Sequence, residues 1–286
     1  MTYVLKGSHT FCSAVVVTHN CPRHIERCMK ALDRQERKFD RVIIVDSGSE
    51  DTSYLDQYEA LPYLKVIKGA KGIGFCRANN VAIPHLIDES DYIAFVNPDA
   101  FLSESFVKEA LAFMENDKNR QIGTITGLVE GYDMERDAPT GVADTTGIFR
   151  KWYGKWYDRD QGKSVEDERY TEAEIVPAIC GALMFCRKEA LQQSMVHGNE
   201  VFDTTFYMYK DDIDLSRRIR KAGWEVAFVP WLKAYHCRGW NRKRYKMPRK
   251  LRLLSARNDL RIDRRNHSPY LAYSLAKYLL VKLVNL

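Results

Sequence analysis

The chain has 286 residues, 45% of them hydrophobic and 29% charged. That is enough to bury one sizeable core, alone or with a small appended unit, and it excludes a wholly disordered chain. The net charge is +6, but residues 238–265 hold twelve Lys or Arg against Asp259 and Asp263, leaving −4 for the rest. A local basic segment, rather than a basic protein, therefore needs a partner. The opening MTYVLKGSHTFCSAVVVTHN has its apolar run late and short, unlike a secretory signal. No stretch of about 20 apolar residues is free of charge, so no spanning helix is expected. The cysteine count is odd, seven, with no Cys-x-x-Cys pair. This fits reduced thiols in a reducing compartment.

The first half alternates strands and helices. Cys12–Thr18 is a continuous apolar run, as in a strand buried on both faces. Pro22 opens a helix to about Arg34, and Arg41–Asp46 is a second strand. Leu64–Lys68 is a third strand, and glycines lead into a helix over Gly74–Leu86. Tyr92–Val96 is a fourth strand, Ser103–Asn116 a Ser-capped helix and Gln121–Gly127 a fifth strand. Such alternation predicts an open parallel sheet with helices on both faces. Residues 130–175 read as irregular or hairpin structure, and Ile175–Cys186 is apolar with a break at Gly181. Asp211–Ala222 forms an amphipathic helix. A strand follows over Glu225–Val229, which Pro230 is expected to end.

Open parallel sheets bind ligands at the carboxyl ends of their strands. Thr18, His19 and Asn20 follow the first strand. Asp46, Ser47, Gly48, Ser49, Glu50 and Asp51 follow the second, and Asn97, Pro98 and Asp99 the fourth. The turn after the first strand has no glycine, which argues against a dinucleotide fold. Asn97 and Asp99 place an amide oxygen and a carboxylate where a hard divalent cation could bridge phosphates. A Pro turn with Asp99 capping the next helix is the equal alternative. Asp211, Asp212 and Asp214 open a helix. The helix dipole favours acids there whatever their role, while their crowding also poises one as a general base. His236 follows an apolar strand, where a lone His is more often structural than a ligand.

Nine segments in order carry a resemblance: AVVVTHN (14–20), VIIVDSGSEDTS (42–53), GIGFCRANNVAI (72–83), FVNPDAFLS (95–103), DTTGIFRKWYGKWYDRDQGK (144–163), CGALMFCRKEAL (180–191), FDTTFYMYKDDIDLSRRIRKAGWEVAFVP (202–230), YH (235–236) and SARN (255–258). Together they resemble the family 2 glycosyltransferases of the GT-A fold, especially rhamnosyltransferase-like members. The resemblance implies an α/β fold with an open, mostly parallel sheet and a C-terminal helical extension. It divides the chain into a catalytic domain (1–237; nucleotide half about 12–128, acceptor half about 129–237) and an extension (238–286).

The resemblance also implies roles. Thr18, Asn20, Asp46 and Asp51 would bind the donor base and ribose, while Gly74, Asn80 and Asn97 shape the nucleotide cleft and diphosphate site. Asp99 and His236 would hold Mn²⁺ or Mg²⁺, and Asp212 would be the general base. The metal motif, Asn-Pro-Asp, lacks the family's first acid. The family's Glu-Asp pair is Asp211-Asp212 here, which shares the base assignment between the two. One base opposite the leaving group implies inversion. The implied donor is a nucleotide-diphospho-sugar, dTDP-rhamnose first, with UDP-galactofuranose, UDP-glucose and UDP-N-acetylglucosamine as alternatives. The implied acceptor is a glycan or lipid-linked glycan of a bacterial cell-surface polysaccharide. Trp152, Tyr153, Trp156 and Tyr157 could face a sugar acceptor or pack in the core.

Two rivals stand beside this reading. A nucleotidyltransferase needs a Gly-rich basic loop after the first strand, and THNCPRH is not one. A nucleic-acid module could use the basic segment with Trp240 and Tyr245, but it has no need of acids at 211–214, so no nucleic-acid partner is expected. In Ser268–Leu286 the polar Ser274, Lys277, Lys282 and Asn285 share one helical sector, and the leucines lie on the rest. With Arg242, Lys243, Arg244, Lys246, Arg249, Lys250 and Arg252, the extension (238–286) is expected to dock on an anionic membrane surface without crossing it. The place would be the cytoplasmic face of the cell membrane. Cover by the catalytic domain or by a second subunit of a homo-oligomer is the alternative.

Overall fold

The structure, a computed structural model, describes residues 9–69, 72–165, 170–237 and 247–283. Its centre is a twisted sheet. Strands β1 (Cys12–Thr18), β2 (Arg41–Asp46), β3 (Leu64–Lys68) and β4 (Tyr92–Val96) run parallel in the order β3-β2-β1-β4. Alternate side chains face opposite layers. Ala14, Val16, Val42 and Ile44 pack with Ile25, Cys28 and Leu32 of α1 (Pro22–Asp33) on one side. Val15, Val17, Ile43 and Val45 pack with Cys76 and Ala78 of α3 (Gly74–Ala82) on the other. A four-residue helix, α2 (Asp56–Glu59), precedes β3.

Beyond β4 the sheet is mixed. The order continues β11 (Leu183–Arg187), β6 (Ile122–Asp133), β12 (Glu225–His236) and β10 (Glu174–Ile175). β11 is antiparallel to β4 and β6, whereas β6 and β12 are parallel. The expected parallel sheet is thus confirmed for the first four strands and joined by antiparallel pairs beyond them. β5 (Ala100–Leu102) pairs with β12, and β7 (Ala138–Thr145) with β6. A separate hairpin joins β8 (Ile148–Arg150) to β9 (Trp156–Asp158).

Three local expectations change for physical reasons. Pro230 does not end its strand: β12 continues to His236, with a register shift between Val229 and Lys233. A bulge is where a strand tolerates proline. Gly127 lies opposite, and a Cβ there would sit 2.0 Å from the Leu232 carbonyl oxygen. The helix expected from Ser103 starts later, as α4 (Phe106–Met114), because residues 100–102 extend along β12 and the Ser103 N–H bonds the Lys233 carbonyl. The fifth strand reaches Asp133, because β6 pairs with β12 and β7 together.

Helices α5 (Lys188–Ser194) and α6 (Asp211–Lys221) cover the second face, with Ala190, Leu191, Ile213, Leu215 and Ile219 buried. Two C-terminal helices, α7 (Arg249–Arg265) and α8 (Leu271–Leu283), pack on each other and on this face. Asp263 of α7 is fully buried and takes both oxygens' bonds from the Arg150 guanidinium at 2.6 and 2.7 Å. That guanidinium also stacks between Trp156 and Tyr270. The hairpin and the C-terminal helices are thereby locked together. No helix among the described residues is long and apolar enough to cross a membrane.

Candidate active site

One cavity of about 420 Å³ opens at the carboxyl ends of the central strands. Asn97, Gly181, Asp211, Asp212 and His236 line it, together with Trp156 and Tyr157 of the hairpin. Arg252 and Ser255 of α7 and Lys277 of α8 complete its wall. The C-terminal helices thus build part of the same cavity as the strand ends.

Asp211 and Asp212 begin α6 after two consecutive left-handed residues, Tyr209 and Lys210, each with φ of 68°. Such a pair costs on the order of 1–3 kcal/mol per residue and persists only where surroundings enforce it. Asn258, fully buried on α7, enforces it: its amide donates to the carbonyls of Met208 (3.0 Å) and Tyr209 (2.9 Å). Asn258→Ala leaves two carbonyls unbonded, at about 1–3 kcal/mol. A lowered melting temperature and a kcat that falls more than donor affinity are expected. Equal kcat with only a lowered melting temperature would make Asn258 a purely structural clamp.

The two acids are not equivalent. Burial, and then the charge of Asp212, push the Asp211 carboxyl up to about 8. Burial also raises Asp212, but Lys210 and the N–H groups of Gly181 (3.1 Å) and Ile213 (2.8 Å) oppose it. Asp211 therefore holds its proton at neutral pH. Asp212, whose charge raises Asp211 and which is itself subject to fewer raising influences, is the member of the pair that ionises first. The Gly181 break seen in the sequence supplies one of those N–H groups.

His236 Nε2 lies 3.3 Å from Asp99 Oδ1, and its Nδ1 lies 2.9 Å from Asp144 Oδ2. Burial disfavours a charged ring, but the two carboxylates outweigh it and raise His236 to about 9. Asp99 is pushed up by burial and brought below the usual carboxylate range by His236. Asp144, at the end of β7, is buried and went unassigned in the sequence. Asp99 does not cap a helix, because β5 follows it directly. A carboxylate paired with an imidazole whose far nitrogen is fixed by a second carboxylate is a donor set of the type that fits a divalent cation once the ring's Nε2 proton is displaced. A second cluster, His197, Glu200 and Asp203, is less suited: Asp203 is already neutralised by Arg265, and Glu200 holds Thr204.

The other candidates fall at the sheet's rim. Thr18 and Asp46 end adjacent strands in register. Both are buried. The Asp46 carboxylate accepts from the N–H groups of Gly48 and Ser49, so it holds its own turn. Tyr54 ties Thr18 to Ser49 through its hydroxyl. Asn20, left-handed and exposed, accepts the Glu50 N–H. Asp51 is exposed and takes the N–H and hydroxyl of Ser53. Asn80 grips the backbone of Phe202 with both amide atoms, so it shapes the cleft wall from behind. Gly74 has φ of 76°, and a Cβ there would lie 2.6 Å from the Tyr207 ring. Its neighbour Phe75 lines the cavity. The aromatic cluster divides: Trp156 and Tyr157 face the cavity, whereas Trp152 is 86% exposed.

Residues 13–195 match the family described as Glycosyl transferase family 2. The chain belongs to that family. It is a glycosyltransferase using a nucleotide-sugar donor. The N-acetylglucosaminyl-diphospho-decaprenol L-rhamnosyltransferase of Mycobacterium tuberculosis is 23% identical over 236 residues, 78% of this chain and 74% of that one. The rhamnosyltransferase WbbL of Escherichia coli is 23% identical over 239 residues, 78% of this chain and 81% of that one. Among solved structures, GalNAc-T7 with UDP, GalNAc and Mn²⁺ superposes with a TM-score of 0.63 at 15% identity. The match covers 94% of the glycosyltransferase but only 54% of the GalNAc-T7 chain. The mannosyltransferase PcManGT of Pyrobaculum calidifontis, with GDP-Man and Mn²⁺, gives 0.59 at 16% identity over 98% of this chain and 72% of that one. These likenesses establish the GT-A architecture of the fold.

Proposed function

We propose that this glycosyltransferase moves rhamnose, with inversion, from dTDP-rhamnose to a hydroxyl of a lipid-linked glycan in bacterial cell-surface polysaccharide synthesis. It would act at the cytoplasmic face of the membrane, where that acceptor is presented. The observation that carries the reaction type is one cavity lined by both the Asp211–Asp212 pair and His236, whose ring is flanked by the Asp99 and Asp144 carboxylates. Support for the sugar and the lipid carrier comes from the two curated relatives, both named rhamnosyltransferases, one for a diphospho-decaprenol acceptor.

In this reading the Asp212 carboxylate takes the acceptor hydroxyl proton as its oxygen bonds to the anomeric carbon. The bond from that carbon to the diphosphate breaks, and dTDP leaves from the opposite face. Asp211, protonated, keeps a second negative charge away from the base. A divalent cation held by Asp99 and His236 would neutralise charge on the departing diphosphate. Asp144 fixes the His236 ring so that Nε2 faces that site. Trp156 and Tyr157 offer flat faces to the sugar acceptor.

Thermal melting against dTDP-rhamnose, UDP-galactofuranose, UDP-glucose and UDP-N-acetylglucosamine, with and without Mn²⁺, tests the donor. A donor at 100 times its Kd should stabilise by about 2.7 kcal/mol. The largest shift with dTDP-rhamnose, and release of dTDP rather than pyrophosphate on turnover, is expected. A larger shift with any UDP-sugar overturns the rhamnose assignment.

A further inference from the structure

Helix α8 is turned the opposite way from an ordinary surface helix. Two of its polar residues face the protein: Ser274 is fully buried, and Lys277 reaches inward to the buried Asp259 of α7, while Lys282 is exposed at the edge of the leucine face. Its leucines face outward: Leu271, Leu275, Leu279, Leu280 and Leu283 are 38–74% exposed. At 100° per residue these leucines, with Ala272 and Ala276 among them, span one continuous half of the helix. An outward apolar face of this extent on a globular protein marks a surface that meets something else.

The adjoining face of α7 carries the charge. Arg257, Arg261, Arg264 and Arg265 recur at helical spacing and, with Leu260 and Leu275, line a groove between the two helices. Arg257 and Arg264 are exposed and form no ion pair among the described residues. Arg261 and Arg265 are anchored on the Phe206 ring, and Arg265 is paired with Asp203. The only acids of α7 and α8, Asp259 and Asp263, are both buried. The outer face of this helix pair is therefore cationic and apolar, with no exposed acid of its own. Beside it, exposed Trp152 at the hairpin tip packs edge-on against Tyr153, which contacts Tyr273 of α8.

We infer that the outer α7–α8 face, arginines beside leucines, docks on an anionic phospholipid surface. Phosphate headgroups neutralise the arginine row while the leucines enter the acyl boundary, and Trp152 sits at the level where indole rings favour the interface. Charge complementarity selects this occupant over a second copy of the chain: the face lacks acids, so self-pairing would leave its arginines uncompensated. The inference extends the lipid-linked acceptor reading and rests on it for biological sense. It moves the docking contact from Arg242, Lys243, Arg244 and Lys246, which lie outside the described residues, to Arg257 and Arg264. Lys277 and Arg252, on the inner side of the same two helices, line the active cavity, so the docking face and the cavity wall are built on one helix pair.

The experiment is co-sedimentation of the full chain with phosphatidylglycerol–phosphatidylcholine vesicles containing no acceptor, at low and high salt. The wild type should bind anionic vesicles at low salt and be released as salt screens the charges. Arg257→Gln/Arg264→Gln should lower partitioning about 25-fold, each arginine contributing about 5-fold near an anionic leaflet. Leu279→Ser/Leu283→Ser should lower it at both salt concentrations. All variants should keep the wild-type melting temperature, since these side chains are exposed. Failure of the wild type to sediment, or unchanged binding by both variants, overturns the inference. So does a dimer that Leu279→Ser/Leu283→Ser converts to monomer without loss of vesicle binding. Since the vesicles carry no acceptor, a wrong acceptor leaves the result standing. Transfer to a lipid-linked acceptor without vesicle binding refutes only the docking face.

Discussion

Asp212→Asn is expected to lower kcat by about 10²–10⁴ while the donor still binds. The substitution keeps the shape and the Gly181 and Ile213 contacts as far as an amide can, and removes only the proton acceptor. Asp211→Asn is expected to do much less, because an amide is isosteric with the protonated acid that burial and Asp212 produce at neutral pH. The two variants also separate in stability against pH. Asp211 has its folded value raised to about 8, from 3.8. The native state therefore holds a proton that the unfolded chain has lost, and stability falls as pH rises from about 4 to about 8. Asp211→Asn should flatten that fall, read from denaturant midpoints at pH 5, 6, 7 and 8. Near-normal turnover by Asp212→Asn beside a dead Asp211→Asn would transfer the base to Asp211.

The alternating half of the fold was legible because its signals are local. Buried parallel strands such as AVVV and VIIV are continuous apolar runs, and Pro22 and the glycines before α3 punctuate them. The mixed half was harder. β5 is three residues long and owes its extension to pairing with β12, a partner more than 120 residues away. Pro230 looked terminal because the bulge that accommodates it depends on Gly127 in another strand. Neither fact has a signature within a short window.

The same division runs through the site. Asp99, His236 and the acid pair were visible as carboxylates and imidazole at element ends, and the fold places Asp99 against His236. Asp144 opens one of the resembling segments, but its role was hidden because its partner His236 lies 92 residues away. Asn258 did leave a trace: a residue poor at forming helix stands inside a long basic helix, where a tertiary task is the usual reason. Asp46 and Asn80 show the reverse limit. The resemblance assigned Asp46 to the donor base and ribose and Asn80 to the cleft wall, and sequence alone did not show the local contacts they make, with Gly48 and Ser49 for Asp46 and with Phe202 for Asn80.

Asp99→Ala is expected to weaken Mn²⁺ binding to the purified protein, measured by calorimetry, and to leave residual transfer unaffected by added metal or chelator. The argument is the donor set: with the first acid of the motif replaced by Asn97, Asp99 is the carboxylate that faces His236, and imidazole with carboxylate suits Mn²⁺ better than Mg²⁺. Removing one of the two proposed protein ligands should lower transfer by up to the factor that Mn²⁺ supplies to the wild type. Asp144→Asn gives an independent arm. Its carboxylate contacts the His236 nitrogen that points away from Asp99, so the substitution should reduce Mn²⁺ affinity about 10–100-fold. If Asp144 were merely a core residue, melting temperature would fall while metal affinity held. Full transfer by the wild type in excess chelator would reject the cation altogether and reduce the Asp99–His236–Asp144 cluster to a buried ion-pair chain holding β5, β7 and β12 together.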